Sequence, residues 1–176
     1  DYGVREGLVT DYITFHAHEI SSLGQTEDLR LRSVLQCLTK FQPNPQHPRH
    51  VARLALGLFD QTRAIHGMTD REREWLEYSA LMHDLGIHIS YPRHHKHSQY
   101  LIKNGDLRGF EPEEIDVMAL VARYHRRATP KRTHEEYEHL RPELRRAVRD
   151  LSAILRLAEN LDRSHAQVVS GLELRD

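Results

Sequence analysis

Apolar residues recur at α-helical spacing along almost the whole chain, and that period excludes most folds before any single residue is considered. Leu144, Val148, Leu151, Leu155 and Ala158 advance by four, three, four and three residues, one face of a helix. Ile115, Met118 and Ala122 form a second stripe, and Leu54 and Leu58 a third. No pair of alternating strand segments around a tight turn interrupts them, and there is no internal repeat or low-complexity tract. An all-α bundle is the expected fold.

Punctuation residues place the helices. The first is predicted from Glu27 to Phe41, ended by the proline-rich stretch Gln42 to Pro48, and the second from Pro48 to His66, closed by Gly67. Thr69 and Glu72 stand at capping-box spacing and open a third, which runs to the His83-Asp84 pair and ends at Gly86. A short helix is expected over His94 to Asn104. Pro112, amid Glu111, Glu113 and Glu114, opens another that ends near Arg127, and the last runs from Pro142 to about Ser164. The alternating tail Val168 to Asp176 reads as the start of a strand.

Composition narrows the function classes. With 176 residues, 39% of them hydrophobic, the chain fits one domain with one core. A single cysteine, Cys37, allows neither an internal disulfide nor a thiolate metal cluster and fits a reducing, cytoplasmic setting. No apolar run approaches the roughly 18 residues needed to span a bilayer, so no membrane partner is expected. With 25 Lys+Arg against 26 Asp+Glu, bulk charge selects no nucleic acid, and any polyanion site must be local. Histidine is in excess, with 14 in the chain.

Several apolar stripes end on an ionisable residue. Asp162 follows Ala158 by four, His125 follows Ala122 by three, and His50 precedes Leu54 by four. A buried carboxylate needs a cation, an arginine or a metal. His83 and Asp84 offer two ligand types side by side at a helix end. Around His125 lie Arg123, Arg126, Arg127, Lys131 and Arg132, with no acidic residue between Val117 and His134, a local basic run suited to phosphate.

The order His50, His83-Asp84, Asp162 resembles the signature of the HD metal-dependent phosphohydrolase superfamily, whose helical fold holds metal between helices. His97 and His125 stand where extended members add two further histidines. Four longer segments, REGLVTDYI, HDLGIHISYPRHHKHSQYLIKNGDLRGFEPEEI, VARYHRRATPKRTH and ILRLAENLDRSHAQVV, resemble the C-terminal half of the exopolyphosphatase/guanosine pentaphosphate phosphohydrolase family.

That resemblance implies an organisation. Residues 1–22 would close a preceding actin-like domain or form a linker, 23–167 would be the HD-type helical domain, and 168–176 would begin a C-terminal extension cut short. The chain is accordingly expected to be a fragment. It also implies two divalent ions, manganese, iron, zinc, cobalt or nickel, with magnesium as a further choice, on His50, His83, Asp84, His97, His125 and Asp162. His83 and Asp84 would be the catalytic pair, and Lys96, Arg126, Arg127, Lys131 and Arg163 the substrate contacts. His94 and His95 adjoin His97, and His47 lies one turn before His50, so those ligand positions stay open.

Two ions about 3.5–4 Å apart would present hydroxide to a phosphorus atom, and the expected reaction is hydrolysis of a phosphoanhydride such as polyphosphate or guanosine pentaphosphate. The alternative is a non-catalytic module that binds polyphosphate and forms a homodimer, serving an active site in the N-terminal actin-like domains. Trp75, Tyr78 and Cys37 are expected in the core, and His16, His18, His66, His88, His134, His139 and His165 as surface or hydrogen-bonding residues.

Overall fold

The computed structural model describes residues 25–42 and 44–174, and among them every regular element is a helix. The expected all-α fold is correct. The closing segment expected over residues 1–22 lies outside the described residues, as do His16 and His18. Helix α1 spans Gln25–Phe41 and α2 Gln46–Gln61. A four-residue turn of helix, α3, follows at Arg63–His66, and Gly67 ends it in the left-handed conformation at φ 64°.

The Thr69–Glu72 capping box forms as predicted and opens α4, Asp70–Met82. A 3-10 turn at Leu85–His88 leads to α5, His94–Lys103. Helix α6 is Pro112–Arg123, with its proline in the first turn, α7 is the single turn Glu135–Glu138, and α8 is Pro142–Leu161. No helix among the described residues is long and apolar enough to cross a membrane.

Helices α2, α4, α6 and α8 pack on one another, and α5 lies against α6 and the 3-10 turn. Each contributes its apolar stripe. Leu144, Val148, Leu151, Leu155 and Ala158 are all buried, and they meet Val117, Met118, Val121 and Ala122 of α6 and Val51, Leu54, Ala55 and Leu58 of α2. Cys37 and Trp75 are core residues as expected, and burial pushes the Cys37 thiol up to about 11.

One polar knot sits inside this packing. The buried Glu114 carboxylate accepts from Trp75 Nε1 at 3.0 Å and pairs with Arg30 at 2.6 Å, while its other oxygen accepts the Glu111 N–H at 2.9 Å. Burial opposes its charge, but these donors outweigh it and hold the carboxyl below its ordinary range. Glu114→Ala would leave Trp75 without its acceptor and Arg30 with Glu74 alone, and should destabilise the fold by about 2–3 kcal/mol. Because the folded-state pKa is depressed, the stabilisation is present above the unfolded pKa and fades as pH falls through the folded one. Urea denaturation of both proteins at pH 7 and pH 4 checks it: their gap should narrow at the lower pH.

Several boundaries differ from expectation, α6 ending at Arg123 and not near Arg127, and α8 at Leu161 and not about Ser164. Helix α2 starts at Gln46, two residues before the expected Pro48, because a proline in the first turn has no N–H to miss. It breaks at Thr62, whose hydroxyl donates back to Leu58 O at 2.7 Å, instead of running on to His66. The tail is not a strand among residues 168–174. Instead the Gln61 side chain holds it at two points, donating to Leu172 O at 3.0 Å and accepting the Leu174 N–H at 2.8 Å.

Candidate metal centre

Five helix ends converge on one carboxylate. Asp84 follows His83, which caps the C-terminus of α4, and opens the 3-10 turn. His47 lies in the first turn of α2, and His94 is the first residue of α5. His125 stands just past the end of α6, and Asp162 caps α8. All six are buried.

The two oxygens of Asp84 divide the imidazoles between them. Oδ2 lies 3.8 Å from His47 Nε2 and 3.6 Å from His83 Nε2. Oδ1 lies 3.2 Å from His94 Nε2 and 3.8 Å from His125 Nε2. Burial opposes the charge on Asp84, but whenever the facing imidazoles carry a second proton, His83, His94 and His125 outweigh it and hold the carboxyl well below the usual carboxylate range.

Local structure fixes which nitrogen of each ring carries the proton. His83 Nδ1 donates to Ala80 O at 2.7 Å and His125 Nδ1 to Ala122 O at 2.6 Å. These carbonyls belong to the last turns of α4 and α6, where the backbone lacks helical donors, so each imidazole caps its own helix. His94 Nδ1 donates to Tyr91 O at 3.0 Å, and His47 Nδ1 to Asp162 Oδ2 at 2.8 Å. A carbonyl or carboxylate can only accept. Nδ1 therefore carries a proton in all four rings, so the nitrogen that can offer a lone pair is Nε2, on the side of Asp84.

The result is an excess of acceptors over donors, with Arg126 Nη1, 3.4 Å from His94 Nε2, the donor nearest that ring. His47 Nε2 and His83 Nε2 are buried without a hydrogen-bond partner, and His94 Nε2 and His125 Nε2 stand 3.3 Å apart. Burial lowers the His125 pKa well below its ordinary value, with His83 adding to the effect; burial also lowers that of His47, against the pull of Asp162. Both stay neutral at pH 7. Four imidazole nitrogens and the Asp84 carboxylate, each imidazole anchored through its other nitrogen to a carbonyl or to Asp162, are the donor set and outer support that a divalent transition ion requires.

His66 shows what a satisfied core histidine looks like. It is buried too, but Nε2 donates to Phe59 O at 3.0 Å and Nδ1 accepts the Met68 N–H at 2.9 Å, so both nitrogens are used.

The expected site residues divide accordingly. His83, Asp84, His125 and Asp162 are brought together. His50 and His97 are not: His47 and His94 stand in their places, each three residues earlier. A step of three moves a side chain about one turn, 4.5 Å, along its helix. His50 accepts from Arg53 Nη2 at 2.7 Å through Nδ1, and its buried Nε2 also has no hydrogen-bond partner. Its ring lies near enough to Asp162 to help hold that carboxyl down against burial, but no Asp84 contact joins it to the other imidazoles. His97 is half-buried beside Gly86, and neighbouring His95 is pushed down to about 4 by burial, His94 and nearby arginines.

Of the expected substrate contacts, Arg126 comes nearest, with Nη1 3.4 Å from each His94 ring nitrogen. Lys96, Arg127, Lys131 and Arg163 are exposed. Arg156 of α8 ties the start of the basic run to the bundle by donating to Tyr124 O at 2.9 Å and Ala128 O at 3.1 Å. Exposed His165 also reaches the site, although nothing in its spacing singles it out: its ring stacks on His47 with centroids 3.6 Å apart.

Comparison with known proteins agrees with the longer motifs. The chain is 30% identical over 124 residues to a guanosine-5'-triphosphate,3'-diphosphate pyrophosphatase from Vibrio vulnificus, a match covering 70% of this chain and 23% of that protein. It is 28% identical over 136 residues to the protein of the same name from Pseudoalteromonas atlantica, covering 76% of this chain and 26% of the relative. The chain thus spans about a quarter of the length of these relatives. Residues 29–174 match the family model described as Ppx/GppA phosphatase, domain III, and the chain belongs to that family.

Proposed function

We propose that the chain is an HD-type metal-dependent phosphohydrolase domain that acts on a phosphoanhydride, as part of a larger exopolyphosphatase-like protein of the cytoplasm. The observation that carries this reading is the set of four imidazoles that turn Nε2 toward one buried carboxylate while each is anchored through Nδ1. His47 and His83 would hold one divalent ion, with Asp162 orienting His47 through Nδ1, His94 and His125 would hold a second, and Asp84 both. Such ions lower the pKa of bound water and polarise a phosphoryl oxygen.

The chain's own residues supply the rest. Backbone carbonyls lock three imidazoles in register, and Asp162 locks the fourth. Arg126, beside His94 without a carboxylate partner among the described residues, is positioned to bind phosphate oxygens bidentately. Arg127, Lys131, Lys96 and Arg163 extend that charge toward solvent. The names of the relatives point to a nucleotide phosphoanhydride as substrate, with inorganic polyphosphate as the nearest chemical alternative.

One fact favours a second reading. The chain is only about a quarter of its relatives, so a catalytic centre in preceding actin-like domains would leave this domain to bind polyphosphate and to pair with a second copy. Elemental analysis and a phosphatase panel with manganese separate the two. The enzyme reading expects about two ions per chain and turnover of a phosphoanhydride, with His83→Ala losing both while the helical circular dichroism persists. A folded, ion-free and inactive wild-type chain would leave only the binding module.

A further inference from the structure

The loop that follows α8 lies outside the ligand set above yet leans directly on it. Asp162 fixes its course: Oδ1 accepts the Gln167 N–H at 2.7 Å, and its backbone carbonyl accepts the His165 N–H at 2.8 Å. Both His165 and Gln167 take the left-handed conformation, φ 56° and 53°, which side-chain-bearing residues seldom adopt. The loop thereby delivers the His165 ring against His47, the two planes within 4° of parallel.

His47, Asp84 and His165 each offer a ligand atom, and these atoms all lie within 4.8 Å of one another. His47 is only 6% exposed, and its Nε2 has no hydrogen-bond partner. His165 is exposed. The group thus has a buried side and an open side, and a third donor waits on the open side.

We propose that His165 is an exchangeable, solvent-side ligand to the divalent cation shared by His47 and Asp84, an inference that rests on the metal reading above. Imidazole nitrogen suits the same borderline transition ions as the other donors. Among the described residues the ring is held by a stack and by no hydrogen bond of its own side chain. Lying parallel to His47, it must turn to aim its in-plane lone pair at an ion held by His47 Nε2, and its exposure leaves it free to do so. A phosphate oxygen arriving from solvent meets this ligand first and displaces it without disturbing the buried ones.

The test is a titration of ion-free chain with cobalt(II), followed by calorimetry and by visible absorption. His165→Asn is the informative variant, because asparagine tolerates the left-handed conformation and keeps the loop's course while offering cobalt a far poorer donor. The variant should bind one of its ions about tenfold or more weakly and shift the cobalt absorption, as water replaces a nitrogen donor. His139→Asn, an exposed histidine elsewhere, should change neither. Equal affinity and an identical spectrum in His165→Asn would overturn the proposal and leave the metal reading intact. Failure of the wild-type chain to bind cobalt would overturn both.

Discussion

Asp84→Asn should remove metal binding and phosphoanhydride hydrolysis together while leaving the ion-free protein as stable as the wild type, or more so. Asp84 is the one group that both imidazole pairs face, with Oδ2 toward His47 and His83 and Oδ1 toward His94 and His125. Asparagine keeps the shape but loses the charge and one of the two donor oxygens. Outer-shell substitutions at metal sites typically cost 10–100-fold in affinity, and loss of a shared inner carboxylate should exceed about a hundredfold.

Without ions the balance runs the other way. With the rings neutral, four Nε2 atoms and the carboxylate they face are all acceptors in one buried space, and an amide NH₂ supplies donors that they lack. Melting in the presence of a chelator, set against manganese titration by calorimetry, checks both halves. The expected pattern is an unchanged or raised midpoint with chelator and no stabilisation by manganese. Wild-type manganese affinity in Asp84→Asn would remove the carboxylate from the centre of the site.

The bundle was legible because its stripes are long. Leu144 to Ala158 can form only one buried face, and Asp162, extending it by four, had to enter the core with it. His125 was legible for the same reason. His47 was not, because Pro48 reads as the opening of α2 and puts His47 outside the helix, whereas the helix tolerates the proline a turn further in. His94 was hidden by abundance: residues 94, 95 and 97 offer three imidazoles within one turn, and periodicity cannot say which faces α6. That choice is made by how closely the start of α5 approaches the 3-10 turn. His165 lies on no helix and had no periodic signal at all.

The approach of α5 is set by Gly86, and Gly86→Ala should therefore damage the site from behind. A Cβ there would lie 2.1 Å from His94 O, 2.5 Å from Ser98 N and 2.7 Å from His97 Cβ. Two of these are backbone atoms of α5, so no side-chain rotation relieves the clash. The Gly86 N–H also donates to the buried Ser98 hydroxyl at 2.9 Å, a bond that pins the helix where the clash forbids it to stay. The start of α5 must retreat by roughly an ångström to restore van der Waals separation.

Overpacking of this kind costs about 3 kcal/mol, which should appear as a lower urea midpoint. The retreat carries His94 away from Asp84 Oδ1 and His125, now 3.2 and 3.3 Å distant, while His47, His83 and Asp162 stay on helices that Gly86 does not touch. A metal site tolerates displacements of only about 0.5 Å, so Gly86→Ala should keep one ion per chain and lose the other. Asp84→Asn, by contrast, should lose both with its fold intact. Two ions retained at wild-type stability in Gly86→Ala would show that the close approach of α5 is not what selects His94.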